Sequence, residues 1–272
     1  MSSPTPRAAL AAAAQRFAFS ATPRLDAELL LAHALGITRE RLLLTLGDWT
    51  VPPAFDALVE RRADHEPVAY LTGTRAFWTI DLHVAPGVLV PRADSETLIE
   101  AAVAHFAGTP GPARVLDLGT GSGALLLAAL DQWPRATGIG VDRSPDALRI
   151  AAGNARRLAP GRAVIREGDW SGTGEAFDLV LCNPPYVAGD APLSREVAGY
   201  EPAAALFAGS DGLDDYRCIA PLLRPQLAPG GAAMIEIGYD QRRTAAAPFV
   251  EAGFAVTVRG DLGGNDRVLV VT

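Results

Sequence analysis

The chain contains no lysine; every one of its basic residues is arginine. Its 24 arginines face 31 acidic residues, for a net charge of −7. Residues 1–75 hold as many acids as arginines, so residues 76–272 carry the whole excess. Neither part has the basic surplus of a duplex-DNA binder, so no nucleic-acid partner is expected. Cysteine is nearly absent too. Cys182 and Cys218 alone exclude a disulfide framework and a cysteine metal cluster, so no metal is expected and a reducing cytoplasm is the simplest location. No apolar run approaches the roughly 18 residues of a membrane span. The opening "MSSPTPRAALAAAAQRF" lacks a basic start followed by a Leu-rich core, and reads as the start of a helix rather than a signal peptide. Histidine is sparse, and His33, His65, His83 and His105 lie outside the motifs described below.

What is present is apolar and strongly patterned. Hydrophobic residues make up 49% of 272 positions, enough for a sizeable core. The first part reads as short helices: Thr22-Pro23 precedes "RLDAELLLAHALG", Thr38 opens "RERLLLTLGD", and Pro52-Pro53 opens "AFDALVERRAD". From Phe77 the pattern changes to an expected β-hairpin, "FWTIDLHV" with "GVLVP". Asp94 or Ser95 then caps the helix "DSETLIEAAVAHF".

After "GTPGPA", apolar strands alternate with helices. The strands are "RVLDLG", "ATGIGVD", "RAVIREGD", "FDLVLCN", "GGAAMIEIG", "FAVTVRG" and "RVLVVT". Such alternation predicts an α/β fold: a doubly wound, seven-stranded, mostly parallel sheet of Rossmann-like type, with an antiparallel hairpin at one edge. The expected division is a helical domain over 1–75 and a larger α/β domain over 76–272.

Three stretches carry chemistry. In "VLDLGTGSGA", a strand runs into Gly119, Gly121 and Gly123, then into a helix. Residues without Cβ let the backbone turn tightly and lie against a ligand. Asp142 ends the next strand, where a carboxylate can accept from ribose hydroxyls. In "EGDW", Asp169 can accept from an adenine amino group and Trp170 can cover the ring. The plain alternatives are a tight turn without ligand and a Trp that merely packs.

The third stretch is "FDLVLCNPPY". Its strand ends in Asn183-Pro184-Pro185-Tyr186, at the sheet edge where open α/β folds bind ligands. Pro184 and Pro185 have no N–H, so the carbonyls of Asn183 and Pro184 face no competing donor from this segment. The Asn183 side chain adds an acceptor, and Tyr186 adds an aromatic face. Rigid paired acceptors suit the two hydrogens of a planar –NH2. Drawing on both hydrogens returns lone-pair density to nitrogen, which can then attack an electrophilic methyl.

These residues resemble a known family. "DLGTGSG" with Asp142 is similar to class I S-adenosylmethionine-dependent methyltransferases, and "NPPY" marks the branch that methylates planar amino groups. "EPVAYLTGTRAFW", "VLVPRADSETLIE", "YEPAAALFAGSDGLDDYR", "IEIGYDQ" and "DLGGNDRVLVV" resemble the peptide chain release factor N5-glutamine methyltransferases (HemK/PrmC). The resemblance covers nearly the whole chain. It implies methyl transfer from S-adenosylmethionine to the Gln of the Gly-Gly-Gln motif in class I release factors, by a cytoplasmic monomer. It also implies that Gly119, Thr120, Gly121, Ser122, Gly123, Asp142, Trp170 and Asn183 contact the cofactor. Asn183, Pro184, Pro185 and Tyr186 would hold the glutamine amide. Residues 1–75 would recognise the protein substrate, together with a long loop over 187–211. One departure is Ala93, where the family usually has proline. A ribosomal-protein glutamine, an adenine N6 in DNA, and a non-catalytic cofactor-binding scaffold stay open as alternatives.

Overall fold

Proline and threonine punctuate the first helices. In the computed structural model, which describes residues 5–272, α1 spans Pro6–Arg16, α2 Pro23–Leu35, α3 Arg39–Leu44, α4 Ala54–Ala63 and α5 Val68–Thr72. Met1–Pro4, the start of the expected N-terminal helix segment, lie outside the described residues. Pro6 and Pro23 sit in the first turns, where the missing N–H costs nothing. Thr5 and Thr38 cap α1 and α3 through their hydroxyls. Gly36 ends α2 in the left-handed region (φ 66°).

The hairpin is β1 (Thr74–Phe77) and β2 (Ile80–His83). It therefore lies one strand earlier than expected. "GVLVP" forms no strand: Gly87 turns the chain and Val88 packs on Ala147 and Ile150 instead. Then follow α6 (Glu96–His105), β3 (Arg114–Leu118), α7 (Ala124–Gln132), β4 (Thr137–Asp142), α8 (Pro145–Leu158), β5 (Ala163–Glu167) and β6 (Phe177–Cys182). The chain continues through α9 (Arg195–Tyr200), α10 (Asp214–Leu223), β7 (Leu227–Glu236), α11 (Arg242–Glu251), β8 (Val256–Gly260) and β9 (Asp266–Val271).

The seven strands β3–β9 form one sheet in the order β5-β4-β3-β6-β7-β9-β8. Pairing is parallel from β5 through β7 and antiparallel where β9 meets β7 and β8. The doubly wound, mostly parallel sheet and its antiparallel edge are as the apolar runs predict. Helices α10 and α11 cover one face through Tyr216, Ile219, Leu223 and Phe249, all fully buried against Leu116, Val180 and Ile235. Helices α6, α7 and α8 also pack on the strands.

The chain divides into two compact units. The first takes the residues up to Thr74 and also Leu193–Tyr200; the second holds Arg75–Pro192 and Glu201–Thr272. The core of the first is Leu10, Phe17, Leu30, Leu31, Leu42 and Phe55. Arg62, buried there, pairs with Asp26 at 2.8 Å and with Glu196 of α9 at 2.7 Å. Asp64 accepts from Arg195 at 2.6 Å. The stretch 187–211, expected as a long loop, thus contains a helix that belongs to the first unit. Val187 and Phe207 form a β-bridge where the stretch begins and ends.

Candidate active site

Register alone brings the motifs together. Leu118 of β3 is paired with Val141 of β4 on one side and with Cys182 of β6 on the other. Cys182 is paired in turn with Ile235 of β7. The residues that follow these strand ends, Gly119, Asp142, Asn183 and Glu236, therefore stand in a row along the C-terminal edge. Neighbouring strands lie about 4.8 Å apart. The chain reverses its winding direction between β3 and β6, the place where open sheets leave a crevice.

A cleft of about 240 Å³ opens there. Gly119, Thr120, Gly121, Ser122, Asp142, Trp170 and Asn183 all line it, as does Pro185. Gly123 does not line it. It caps α7 with φ 86°, and a Cβ there would crowd Leu127, so its role is local packing. Gly119 has φ 69°, and a Cβ on it would come within 3.0 Å of the Trp170 ring. The loop and that ring face each other across the cleft wall.

The Asp142 carboxylate is organised by backbone. Its Oδ2 accepts from the Gly121 N–H and its Oδ1 from the Ser144 N–H, both at 2.9 Å. Trp170 donates its indole N–H to Asp215 Oδ1 at 2.8 Å, and its carbonyl accepts from Gln226 at 2.9 Å. The ring also packs on the sheet core, so it serves as both wall and filler. Asp169 lines the cleft but is exposed, and its Oδ1 already accepts from both the backbone and the hydroxyl of Ser171.

Asn183 follows β6 and donates from Nδ2 to Ser95 Oγ at 3.2 Å. Pro184 is buried, and only Pro185 of the two prolines lines the cleft. Tyr186 lies partly buried, donates its hydroxyl to Glu236 Oε1 at 3.2 Å, and has its carbonyl held by Gln241 Nε2 at 2.9 Å. Burial pushes the Tyr186 phenol well up, and the neighbouring Glu236 adds to this. The segment is thus pinned from α6's N-terminal end, from β7 and from the turn before α11.

Four contributors are not among the site residues expected from the sequence. Asp117 is 1% exposed beneath the glycine loop, where its Oδ2 accepts from Thr120 Oγ1 at 2.6 Å and from the Leu126 N–H at 3.2 Å. Burial pushes its carboxyl up to about 7, against the pull of those donors. Glu236 is equally buried and is also pushed up to about 7 by burial. Ser95, expected as a helix cap, makes no capping bond and turns to Asn183 instead. Gln241 is the fourth. A carboxylate inside an apolar strand run, as in "DLG" and "IEIG", was the available signal for the two acids.

This strand order, with a glycine loop and a cleft at the switch point, defines a class I S-adenosylmethionine-dependent methyltransferase. Family models agree: a PrmC N-terminal domain matches residues 8–73 and a methyltransferase domain residues 112–236. The chain is 44% identical to a release factor glutamine methyltransferase of Xylella fastidiosa (strain Temecula1), covering 98% of both chains. It is 39% identical to that of Escherichia coli (strain K12), covering 92% of both. A methyltransferase structure from Pyrococcus furiosus aligns over 78% of this chain and 97% of its own, with a TM-score of 0.52; at 16% identity it shows the fold alone. The chain belongs to the release factor glutamine methyltransferase family.

The cleft fits S-adenosylmethionine. Asp117 Oδ1 is buried with no partner at the cleft wall, an acceptor of the kind that a cationic group would satisfy. The approach of Gly119 to Trp170 leaves no space that a Cβ could take. Among the described residues, no cluster of ligating side chains could hold a metal, and no helix is long and apolar enough to cross a membrane.

Proposed function

We propose that this enzyme methylates the side-chain amide nitrogen of the Gln in the Gly-Gly-Gln motif of class I release factors. The observation that carries this reading is the pairing of Leu118 with Cys182. It puts the Asn183-Pro184-Pro185-Tyr186 segment beside the cofactor loop on the adjacent strand. S-adenosylmethionine, when bound, supplies the electrophilic methyl. Gly119 to Ser122, Asp142, Trp170 and Asn183 hold it, with Gly123 shaping the loop.

The chain's own residues prepare the acceptor. Because Asn183 Nδ2 is committed to Ser95, its Oδ1 is the end free to accept from the substrate –NH2. The proline carbonyl is rigid and undistracted by a local N–H. Tyr186 offers its ring to the flat amide, and its hydroxyl anchors it to Glu236. Two acceptors drawing on the amide hydrogens raise density at nitrogen as it attacks, a fixed electrostatic stabilisation. The methylated nitrogen is acidic and loses its proton afterwards, so no general base is required before attack.

The first unit, taken with α9, recognises the release factor. The enzyme acts as a monomer in the cytoplasm, without a nucleic-acid partner. The test is direct. Purified enzyme, cofactor and a class I release factor are combined, and the Gly-Gly-Gln peptide is followed by mass spectrometry. The expected result is the mass of one methylene gained on the Gln side chain. Methyl transfer to a ribosomal protein or to DNA with none to that Gln would overturn the substrate assignment.

A further inference from the structure

Gln241 stands at the N-cap of α11, yet its side chain makes no capping bond there. It turns back towards the residues that follow β6. Its Oε1 accepts from the Gly238 N–H at 3.0 Å, with the Tyr216 hydroxyl 3.3 Å away. Its Nε2 donates to the Tyr186 carbonyl at 2.9 Å and, more weakly, to the Gly212 carbonyl at 3.4 Å. A main-chain N–H only donates and a main-chain carbonyl only accepts, so these partners fix which way round the amide lies. Two glycines make room for it. A Cβ on Gly238 would lie 2.9 Å from Oε1. One on Gly212 would lie 3.0 Å from Nε2 and 2.4 Å from the Tyr186 oxygen.

The two carbonyls belong to the two ends of one excursion of the chain. It departs after Tyr186 and returns at Gly212, just before α10. At its neck the Val187 N–H donates to the Leu206 carbonyl at 2.8 Å, and the Ala208 N–H to the Val187 carbonyl at 3.0 Å. Within it, Pro202, Ala204 and Ala205 line the cleft. Tyr186 is thus fastened twice, by its hydroxyl to Glu236 at 3.2 Å and by its main chain to Gln241. Pro184 and Pro185, just upstream, have fixed φ angles. A shift of the Tyr186 carbonyl is therefore passed on to the carbonyls of Pro184 and Asn183 instead of being absorbed. We infer that Gln241 is a positioning residue: by clasping Tyr186 to Gly212 it sets where the acceptors for the glutamine amide stand. It acts through the main chain of Tyr186 and does not itself line the cleft. This inference rests on the reading that Asn183 to Tyr186 hold the acceptor amide.

The test uses full-length enzyme with S-adenosylmethionine and a class I release factor. Turnover is counted per cofactor site titrated by calorimetry, so that misfolded protein does not contribute. Asn183→Ala comes first and should lower kcat by about 10²–10³. An unchanged kcat there would overturn the site reading itself, and this inference with it. Gln241→Glu then puts a carboxylate oxygen where Nε2 faces two carbonyls. Displacing a reacting group by about 1 Å costs about 10²-fold, so kcat should fall by about 10–10²-fold. Cofactor Kd and the release-factor KM should change by less than about threefold, the mark of an interaction made in the transition state. Gln241→Leu, which removes the donor without adding repulsion, should fall less. Added to Asn183→Ala, Gln241→Glu should cost little more, since both disturb the same acceptors. A purely structural Gln241 would lower thermal stability and leave kcat per site unchanged. Wild-type kcat per site in Gln241→Glu, or losses that multiply in the double variant, would overturn the inference while the Asn183→Ala result still stands. If Gln241→Glu binds no cofactor, Gln241→Leu decides by the same two criteria.

Discussion

Trp170 is tied to Asp215 by a 2.8 Å hydrogen bond that links the turn after β5 to the first turn of α10. The ring lines the cleft and also packs on the sheet core. Asp215→Ala should loosen the ring without removing it. A net hydrogen bond to a charged partner is worth about 1.5–3 kcal/mol, less here because Asp215 is only half buried. Cofactor Kd should rise by up to about tenfold, read by calorimetry, while Asp215→Asn should retain most of the affinity. An unchanged Kd in the Ala variant would show that core packing alone holds the ring.

Tyr186→Phe separates ring from hydroxyl. The ring stays, so kcat should drop only a few-fold. Glu236 loses a donor in a buried setting, which costs about 1–3 kcal/mol of stability. Thermal unfolding should therefore show more change than turnover does. A severe kcat loss with unaltered stability would assign the hydroxyl a direct part in the reaction.

Asp117 and Glu236 set the pH dependence of folding. Both carboxyls are lifted by burial to about 7 from ordinary values of 3.8 and 4.5. The folded state therefore binds more protons than the unfolded one between roughly pH 4 and 7. Stability from these two groups is full below that window and is lost as pH rises through it, flattening above about 7. Glu28, Glu175 and Asp211 are shifted the other way, so their contributions are lost only on acidification below the window. Chemical denaturation at pH 5.5 and 8, two points chosen on about either side of the shifted values, should find the protein less stable at the higher pH. The double variant Asp117→Asn, Glu236→Gln should lose that slope.

Truncation of residues 1–65 should weaken release-factor binding and leave cofactor affinity nearly intact, because the cleft is lined wholly by second-unit residues. Equal losses of both affinities would argue against a recognition role for the first unit. The truncation also removes Arg62 and Asp64, the partners of Glu196 and Arg195. The α9 segment should consequently become an early site of proteolysis, an outcome readable by limited digestion.

Much of this molecule was legible in its sequence because its signals are local. Seven apolar runs became seven strands. The motifs at β3, β4 and β6 needed only the rule that ligands gather at strand C-termini. Ser95 was misread because a serine before an apolar helical run looks like a cap. Its actual partner, Asn183, is 88 positions away, and no periodicity reports that distance. "GVLVP" was misread because β-branched residues favour strands only where a neighbour exists to pair with, and Val88 found a helix. Gly123 shares a motif with Gly119 and Gly121, yet only the fold separates a residue that faces a ligand from one that seats a helix.

The membership of α9 in the first unit has a consequence for biosynthesis. A nascent chain that has emerged only as far as Thr74 has all five early helices but lacks Arg195 and Glu196. Arg62 then holds one of its two carboxylate partners. Completion waits for roughly 120 further residues, about 6–25 s at ordinary elongation rates of about 5–20 residues per second. During that interval most of the parallel sheet is being made. The last piece of the helical unit is thus delivered from within the larger one, so its final assembly is timed by the translation of β3 to β6.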